Sequence, residues 1–309
     1  MKVCAVVLNH NNYPDTRECI ESLQSLNIPP MVHFSILLVD SGSRDGSPEA
    51  LQSEFPHLAC IVSKENLGYA GGNNLGIESA LREGADWIWL LNNDTVVHPD
   101  ALAHLVSAAK RTSEVGILGS IVYDYDDRGR VQFAGGKLNK LRGTGRGLDA
   151  AHNGACKLGG VVECDFVTGA SLLARKKMIE DVGLLDEALF LYLEDLDWAL
   201  RAKKQGWKVF CVRDSVVWHK GNSTSSRVRP LIIYYVSRNS LYICKKHFPL
   251  CFPAVLFNCI RLRVFNFLIK GVYKGFEKED FLYARMGMKG IIDFFQGKMG
   301  RYPGKRPTA

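Results

Sequence analysis

Short, unbroken apolar runs alternate with amphipathic stretches over the first third of the chain. VCAVVL at residues 3–8 is apolar at every position, the pattern of a strand covered on both faces. DTRECIESLQSL at 15–26 instead sets Ile20, Leu23 and Leu26 at helical spacing, with Asp15 or Thr16 as the cap. The alternation continues with a strand FSILLV (34–39), a helix over 48–54, a short strand over 58–62, a helix over 73–83 behind a glycine-rich loop, a strand over 86–91 and a helix over 99–111. Strands and helices taking turns at this interval predict a parallel, doubly wound α/β sheet.

Beyond residue 115 the rhythm loosens. GILGSIVY and VQFAGG predict strands, whereas 136–160 is rich in glycine and basic residues and has little periodicity, which predicts a long mobile loop. VVECDFVTGASLLARKKMIEDVG then predicts a strand and a helix, EDLDW (194–198) opens a further helix, and WKVFCV is a strand. Trp87 and Trp89 flank a buried strand and are expected in the core. No repeat and no low-complexity segment interrupts the pattern.

Three of the predicted strands end in polar clusters: Asn9, His10 and Asn11; Asp40 followed by SGSRDGS, with Ser43; and Asn92, Asn93 and Asp94. Each cluster alone fits ordinary turn chemistry. In an open parallel sheet, however, ligands bind outside the carboxyl ends of the strands, and three such ends side by side would make one polar cleft. In NLGYAGGNNLGI (66–77), Gly68, Gly71 and Gly72 allow close approach of backbone to a ligand, and a helix N-terminus expected at Asn73 or Asn74 suits an anionic or polar group. The loop is neither a GxGxxG fingerprint nor a GxxxxGK[ST] phosphate loop, which disfavours dinucleotide oxidoreduction and P-loop chemistry. Asp94 is a hard carboxylate suited to Mg²⁺ or Mn²⁺ against a diphosphate. Asn92, two positions earlier and on the same side of an extended chain, is placed to hydrogen-bond a ribose.

The segments VVLNHNN, LLVDSGSRDGS, NLGYAGGNNLGI, LLNNDT, FVTGASLLARKKMIEDVGLLDEALFLYLEDLDW and VVWHKG occur in that order. Together they resemble the family 2 glycosyltransferases of the GT-A fold, the rhamnosyltransferase-like members above all, over roughly residues 3 to 245. The resemblance implies a Rossmann-like mixed, mostly parallel sheet flanked by helices, and an inverting, metal-dependent transfer of a sugar from a nucleoside diphosphate donor. It aligns the family's DxD motif with Asn92-Asn93-Asp94, where Asn replaces the first Asp, so Asp94 is the metal carboxylate. It places Asp40 against the nucleobase with the loop Asn9, His10 and Asn11 beside it, and sets Gly71 and Asn73 along the donor.

Inverting transfer needs a base for the acceptor hydroxyl, and the resemblance assigns that role to Asp195, with Glu194 orienting the base or the acceptor. Acidic residues in a first helical turn also suit the positive helix end, and Asp197 is expected to be structural. His219 would complete the metal site, an imidazole beside a carboxylate being suited to Mn²⁺ or Mg²⁺. Trp198 is the expected acceptor platform, and Lys220 with GNSTSSR is expected to close over the donor. Taken one at a time, His10, His33, His57, His98, His104, His152 and His247 have ordinary surface or core readings. Asp124, Asp126 and Asp127 are expected as solvated turn carboxylates.

Charge changes the picture only at the C-terminal end. The net charge of +7 divides into +10 from Pro230 to Ala309, with fourteen Lys and Arg against four Asp and Glu, and −3 before it. The longest uncharged run there, Phe248 to Ile260, is 13 residues long and holds two prolines, too short for a span of ~20 apolar residues. This divides the chain into a GT-A domain over 1–228 and a basic, apolar helical extension over 229–309. The extension either lies on anionic lipid or packs as a cap on the sheet. No nucleic-acid motif accompanies the charge. Nine cysteines without a CxxC pair suggest free thiols in a reducing compartment, and the first apolar run is too short for a signal-peptide core. The expected location is therefore cytoplasmic, with peripheral contact at the inner membrane face. The expected partners are a nucleoside diphosphate sugar, with L-rhamnose from dTDP-rhamnose foremost and a UDP-hexose or GDP-sugar as the alternative, and a glycan or lipid-linked oligosaccharide acceptor. A nucleotidyltransferase lacks its Arg/Lys-rich activating loop in HNNYPDTR, and a non-catalytic sugar-binding module has no need of Asp94, Asp195 and His219 together.

Overall fold

Successive side chains of β1 (Lys2–Asn9) enter two different buried clusters, which explains its unbroken apolar sequence. Val3, Ala5 and Val7 pack with Trp89 and Leu91 of β4 (Trp87–Asn92), while Cys4 and Val6 pack on the other face with Ile88 and Leu90. A computed structural model describes residues 1–111, 113–148, 160–266, 269 and 278–304, with backbone alone at 222–228 and 278. Its main sheet follows the order β10 (Val161–Glu163), β12 (Lys208–His219), β6 (Val115–Asp124), β11 (Ser171–Arg175), β4, β1, β2 (His33–Ser41) and β3 (Ala59–Ser63). β1 pairs in parallel with β2 and β4, β2 with β3, and β6 with β12, whereas β11 runs antiparallel between β4 and β6. Two short strands, β5 (Thr95–Val97) and β7 (Val131–Phe133), pair with β12 and β6. This is the mixed, mostly parallel α/β sheet that the resemblance implies, whereas the pattern alone predicts a parallel one.

Helices cover both faces. α1 (Tyr13–Gln24), α2 (Ser47–Glu54) and α4 (Ala101–Ala109) bury Ile20, Leu23, Leu51, Leu102 and Leu105 on one side. α3 (Gly68–Arg82), α5 (Lys176–Val182) and α6 (Glu194–Lys204) bury Ile77, Met178, Leu196 and Ala199 on the other. Trp87 and Trp89 are core residues, as expected.

Four local expectations are corrected. α1 starts earlier than expected and is capped by Asn12, whose side chain accepts from the Asp15 N–H at 3.4 Å, so Asp15 and Thr16 lie inside the helix. α3 starts at Gly68 instead of Asn73, with Gly72 and Gly76 serving helix–sheet contact: a Cβ on Gly72 would stand 2.5 Å from Leu8 Cδ1. Residues 136–147 form a hairpin, β8 (Gly136–Asn139) and β9 (Thr144–Gly147), with the Phe166 ring seated against Gly136 and Gly145; the remainder of the expected loop over 149–159 lies outside the described residues. Asp124 is buried and takes hydrogen bonds from the Asp126 and Asp127 N–H groups (3.0 Å each) and from Arg130, so it builds its turn instead of facing solvent.

The C-terminal helices are α7 (Asn222–His247), α8 (Phe252–Ile260), extended by a π turn at Arg261–Phe265, and α9 (Lys278–Phe295). The division expected at residue 228 falls inside α7. α7 adds Ile243 to the cluster under α3 and α6, and Tyr234 donates from its hydroxyl to Asp293 of α9 at 2.8 Å. Among the described residues no helix is long and apolar enough to cross a membrane, and the eight described cysteines are free thiols.

Alanine at a helical glycine normally stabilises by about 1 kcal/mol. At Gly76 the new Cβ would collide with Val6 and stand 3.1 Å from Val39 Cγ2. Gly76→Ala is therefore expected to lower stability by about 1–3 kcal/mol, measured by denaturant unfolding; a stabilised variant would contradict this packing.

Candidate active site

Strand order brings the polar ends together. β1 lies between β2 and β4, with Asn9 opposite Asp40 and Leu8 opposite Asn92, and the chain turns from one side of β1 to the other there, at the switch point of the sheet. The Asn9 amide donates to Asp40 (2.7 Å), Ser47 (2.9 Å) and Ser43 (3.3 Å), while its oxygen accepts from Thr16 (2.7 Å) and Asn93 (3.5 Å). Asp40 also accepts from the Ser43 N–H (2.9 Å) and hydroxyl (2.6 Å). Asn9 and Asp40 are wholly buried, so they hold the loops; His10, Asn11 and Ser43 provide the accessible atoms. The Ser41 carbonyl only accepts, so His10 Nδ1 donates to it at 2.8 Å, leaving Nε2 to accept from Asn11 (3.0 Å) and Asn66 (2.9 Å).

At the end of β4, Asp94 Oδ1 stands 3.2 Å from His219 Nε2, and Asn92 Nδ2 lies 3.2 Å from the same nitrogen. β12 supplies His219, whose backbone pairs with Thr95 just beyond Asp94. Gln132 determines which nitrogen of His219 carries the proton. Its Nε2 donates to Asp124 (3.2 Å) and to the His219 carbonyl (2.8 Å), both of which only accept, so its oxygen faces His219 Nδ1 at 3.0 Å. Nδ1 therefore bears the hydrogen, and the Nε2 lone pair points at the Asp94 carboxylate. Two lone-pair donors in close contact fit a cation: carboxylate plus imidazole suits Mn²⁺ or Mg²⁺, and a second partner on the distal ring nitrogen is usual for metal-ligating histidines. Among the described residues no third His, Cys, Asp or Glu joins them, which leaves further positions to ligand oxygens.

The acidic pair opens α6. Asp195 accepts from the Gly169 N–H (3.0 Å) and the Leu196 N–H (2.7 Å), and the neighbouring Ala170 carbonyl accepts from Asn92 N–H at 3.3 Å. Asp195 is thus tied, one residue removed, to the polar end of β4. Burial pushes the Asp195 carboxyl up against those two hydrogen bonds; burial, then the Asp195 charge, pushes Glu194 up. Glu194 Oε2 and Asn73 Oδ1 are buried with no hydrogen-bond partner. Burial, then the charges of Glu194 and Asp94, raise the Tyr192 hydroxyl to about 12, which places Tyr192 in the field of both acidic groups.

The backbone before this pair is unusual. Phe190, Tyr192 and Leu193 have φ of 62°, 69° and 73°, left-handed values that cost a bulky residue ~1–2 kcal/mol each. α7 holds them: Asn239 donates to the carbonyls of Leu189 (3.0 Å), Leu191 (3.0 Å) and Tyr192 (2.8 Å), and the buried Arg238 to those of Leu189 (3.1 Å) and Gly300 (2.7 Å). From α3, Tyr69 N–H donates to the Phe190 carbonyl at 2.8 Å. Gly68 has φ 70°, and a Cβ there would strike that carbonyl.

Several expected participants lie elsewhere. Trp198 is fully buried and its indole N–H donates to Gly183 at 2.8 Å, so it is a core residue and no acceptor platform. Gly71 and Asn73 sit buried within α3. The Lys220 ammonium is held by Asp15 (2.8 Å) and Glu18, which tie it to α1 instead of leaving it free to close; the side chains at 222–228 lie outside the described residues. Asp197 is structural as expected: burial alone would raise it, but His247, Arg201 and Lys246 hold it at about 2. Gln132, Tyr192, Arg238 and Asn239 were not singled out in the sequence, since their partners are distant and no local motif marks them. A cavity of about 570 Å³ opens at the opposite ends of β1 and β4, lined by Met1, Trp87, Arg175 and Trp207, away from this cluster.

Comparison with known proteins supplies the context. Residues 4–159 match the model for "Glycosyl transferase family 2" and residues 87–253 that for "Glycosyl transferase family group 2". The N-acetylglucosaminyl-diphospho-decaprenol L-rhamnosyltransferase of Mycobacterium tuberculosis is 27% identical over 249 residues, 73% of this chain and 79% of that protein. The dTDP-rhamnosyl transferase RfbF of Shigella flexneri is 24% identical over 258 residues, 80% of this chain and 81% of its own. A mannosyltransferase from Pyrobaculum calidifontis, solved with GDP-Man and Mn²⁺, superposes with a TM-score of 0.57 at 16% identity, covering 96% of this chain and 87% of that one.

Replacing Gln132 with Met removes the acceptor at Nδ1 while keeping bulk. ¹⁵N NMR of labelled histidine is expected to show His219 held as the Nδ1–H tautomer in the parent protein and as a mixture in Gln132→Met. A parent spectrum with the proton on Nε2 would refute this assignment.

Proposed function

The chain belongs to glycosyl transferase family 2 and has the GT-A fold, and on that premise we propose that it moves L-rhamnose from dTDP-rhamnose, with inversion and metal dependence, onto a lipid-linked glycan. The observation that carries the reading is the junction at Gly169–Ala170: one residue binds Asp195, the next binds the strand end that leads to Asp94 and His219. A proton acceptor and a two-donor cation site thereby share one edge of the sheet.

In this reading Asp195 takes the proton of the attacking hydroxyl. Its two backbone hydrogen bonds aim the carboxylate, and burial raises its basicity above that of a solvated aspartate. Glu194, buried beside it with one oxygen unpartnered, orients the acceptor. Asp94 and His219 would hold Mg²⁺ or Mn²⁺, which when bound would offset charge on the leaving diphosphate. Asn92 and Asn93 flank that position, and His10, Asn11 and Ser43 border the base of the nucleotide, with Asn9 and Asp40 fixing their loops from below and Gly71 and Asn73 packing α3 behind them. The choice of rhamnose rests on what the two bacterial relatives transfer, and that of a polyprenyl-type acceptor on the decaprenol-linked substrate of the mycobacterial one. A GDP-sugar donor is the second reading, favoured by the nucleotide bound to the mannosyltransferase neighbour. The C-terminal helices would bring the enzyme to the membrane face where such an acceptor resides.

Purified protein incubated with Mn²⁺ and a panel of nucleotide sugars tests the donor: slow release of dTDP from dTDP-rhamnose alone is expected, and release from a GDP-sugar alone would transfer the assignment to the second reading. No release from any sugar nucleotide, even with acceptors present, would remove both. Asp195→Asn is expected to keep donor binding and to lower turnover about 10²–10⁴-fold. The Asp195 carboxyl must be ionised to accept a proton, and its pKa is raised, so the acid limb of the kcat/KM profile is expected above the ordinary aspartate value of ~4. A limb at or below that value would count against Asp195 as the base.

A further inference from the structure

The outward faces of the C-terminal helices reverse the usual pattern of a helix packed on a domain. α9 buries Ala284, Met286 and Ile291, yet its solvent side carries Met288, Ile292 and Phe295, which are 37%, 43% and 60% exposed, with exposed Arg285 in the same row. These residues lie at i, i+3, i+7 and i+10, one face of the helix. α8 and its π turn repeat the arrangement with Phe257 (64% exposed), Arg261 and Phe265 (51% exposed) at i, i+4 and i+8. The two helices are in contact: the Phe252 ring lies 6.2 Å from that of Phe295, and Gly287 faces the Arg263 carbonyl.

We propose that this apolar, arginine-bearing face of α8 and α9 docks on an anionic membrane surface, with the phenylalanine, isoleucine and methionine side chains entering the headgroup boundary and Arg261 and Arg285 meeting lipid phosphates. The proposal rests on the reading above that the acceptor is lipid-linked, and names the surface that would bring the site to it. Charge selects the occupant. From Pro230 to Phe276 the chain has no Asp or Glu; in α9, Asp293 is buried and bound to Tyr234 and Lys289, and the exposed Glu279 at the far end takes the Tyr283 hydroxyl at 2.9 Å. A second copy of the chain meeting this face symmetrically would bring two faces of the same positive sign together, whereas anionic headgroups neutralise both rows. The face is also fixed to the catalytic edge, because α9 packs on α7 and α7 holds residues 189–192. Docking there would set the orientation of the site above the bilayer.

The test is flotation of the full chain with vesicles of phosphatidylcholine alone or mixed with phosphatidylglycerol, with dTDP-rhamnose hydrolysis in solution followed on the same preparations. The parent protein is expected to partition onto the anionic vesicles and to be released by salt. Phe257→Ser/Met288→Ser/Ile292→Ser is expected to partition about 100-fold less, and Arg261→Glu/Arg285→Glu to lose the preference for anionic lipid, each with an unchanged melting temperature and unchanged solution hydrolysis. Equal partitioning of parent and apolar variant, equal binding to neutral vesicles, or concentration-dependent dimerisation that the variant abolishes would each overturn the docking surface. Absence of dTDP-rhamnose hydrolysis in the parent protein would instead count against the rhamnosyl donor and leave the vesicle result standing by itself.

Discussion

Side-chain hydrogen bonds from α7 to backbone carbonyls hold the chain in a conformation it would not keep unaided. Three bulky residues in the four before Glu194 sit at left-handed φ, where their Cβ atoms crowd the following carbonyl. Asn239 is suited to hold them because its amide carries two donors, here shared among three carbonyls that point to one spot. Arg238 does the same with a buried guanidinium, its charge met by carbonyl oxygens and by the faces of Tyr234 and Tyr235, 5.4 and 5.1 Å away. Backbone strain of this kind persists only where the surroundings over-determine it, and it concentrates at functional sites. Its product here is the placement of two carboxyl groups at the start of α6, one aimed by the Gly169 N–H and one with an oxygen left unmatched.

The second acidic centre depends on hydrogen-bond accounting at a distance. Arg130 keeps Asp124 ionised, the carboxylate fixes the amide of Gln132, and the amide fixes the imidazole of His219. Each step follows from which atoms donate and which accept. The buried β6 end therefore reaches the Asp94–His219 pair through Gln132, and an acidic turn outside that pair governs which imidazole nitrogen is left with its lone pair.

Much of the sheet and of its polar edge was legible in the chain. Continuous apolar runs in β1, β2 and β4 gave away strands buried on two faces, and the residues that end them, Asn9, Asp40 and Asn92, stand in adjacent register. The glycines of α3 misled, because glycine weakens helices and favours turns; here they lie where helix and sheet backbones approach, a requirement visible only once Leu8 and Val6 face them. Trp198 misled through proximity: three residues beyond Asp195 on a helix is a turn of nearly 300°, and that turn carries the indole into the core. Arg238 and Asn239 left no trace, since a buried polar pair inside an apolar helix has the same local sequence whether it binds solvent or a loop fifty residues upstream.

Gly300 bonds both to the loop before Glu194 and to the α7 residue that holds it: its N–H donates to the Ala188 carbonyl at 2.8 Å, and its own carbonyl accepts from Arg238. Translation delivers these parts in a fixed order, with N-terminal segments free to fold first. A nascent chain can form the ends of β1, β2 and β4 before residue 300 is made, but the loop before Glu194 gains this last set of hydrogen bonds only afterwards. The setting of two carboxyl groups in mid-chain thus waits on a glycine synthesised long after them.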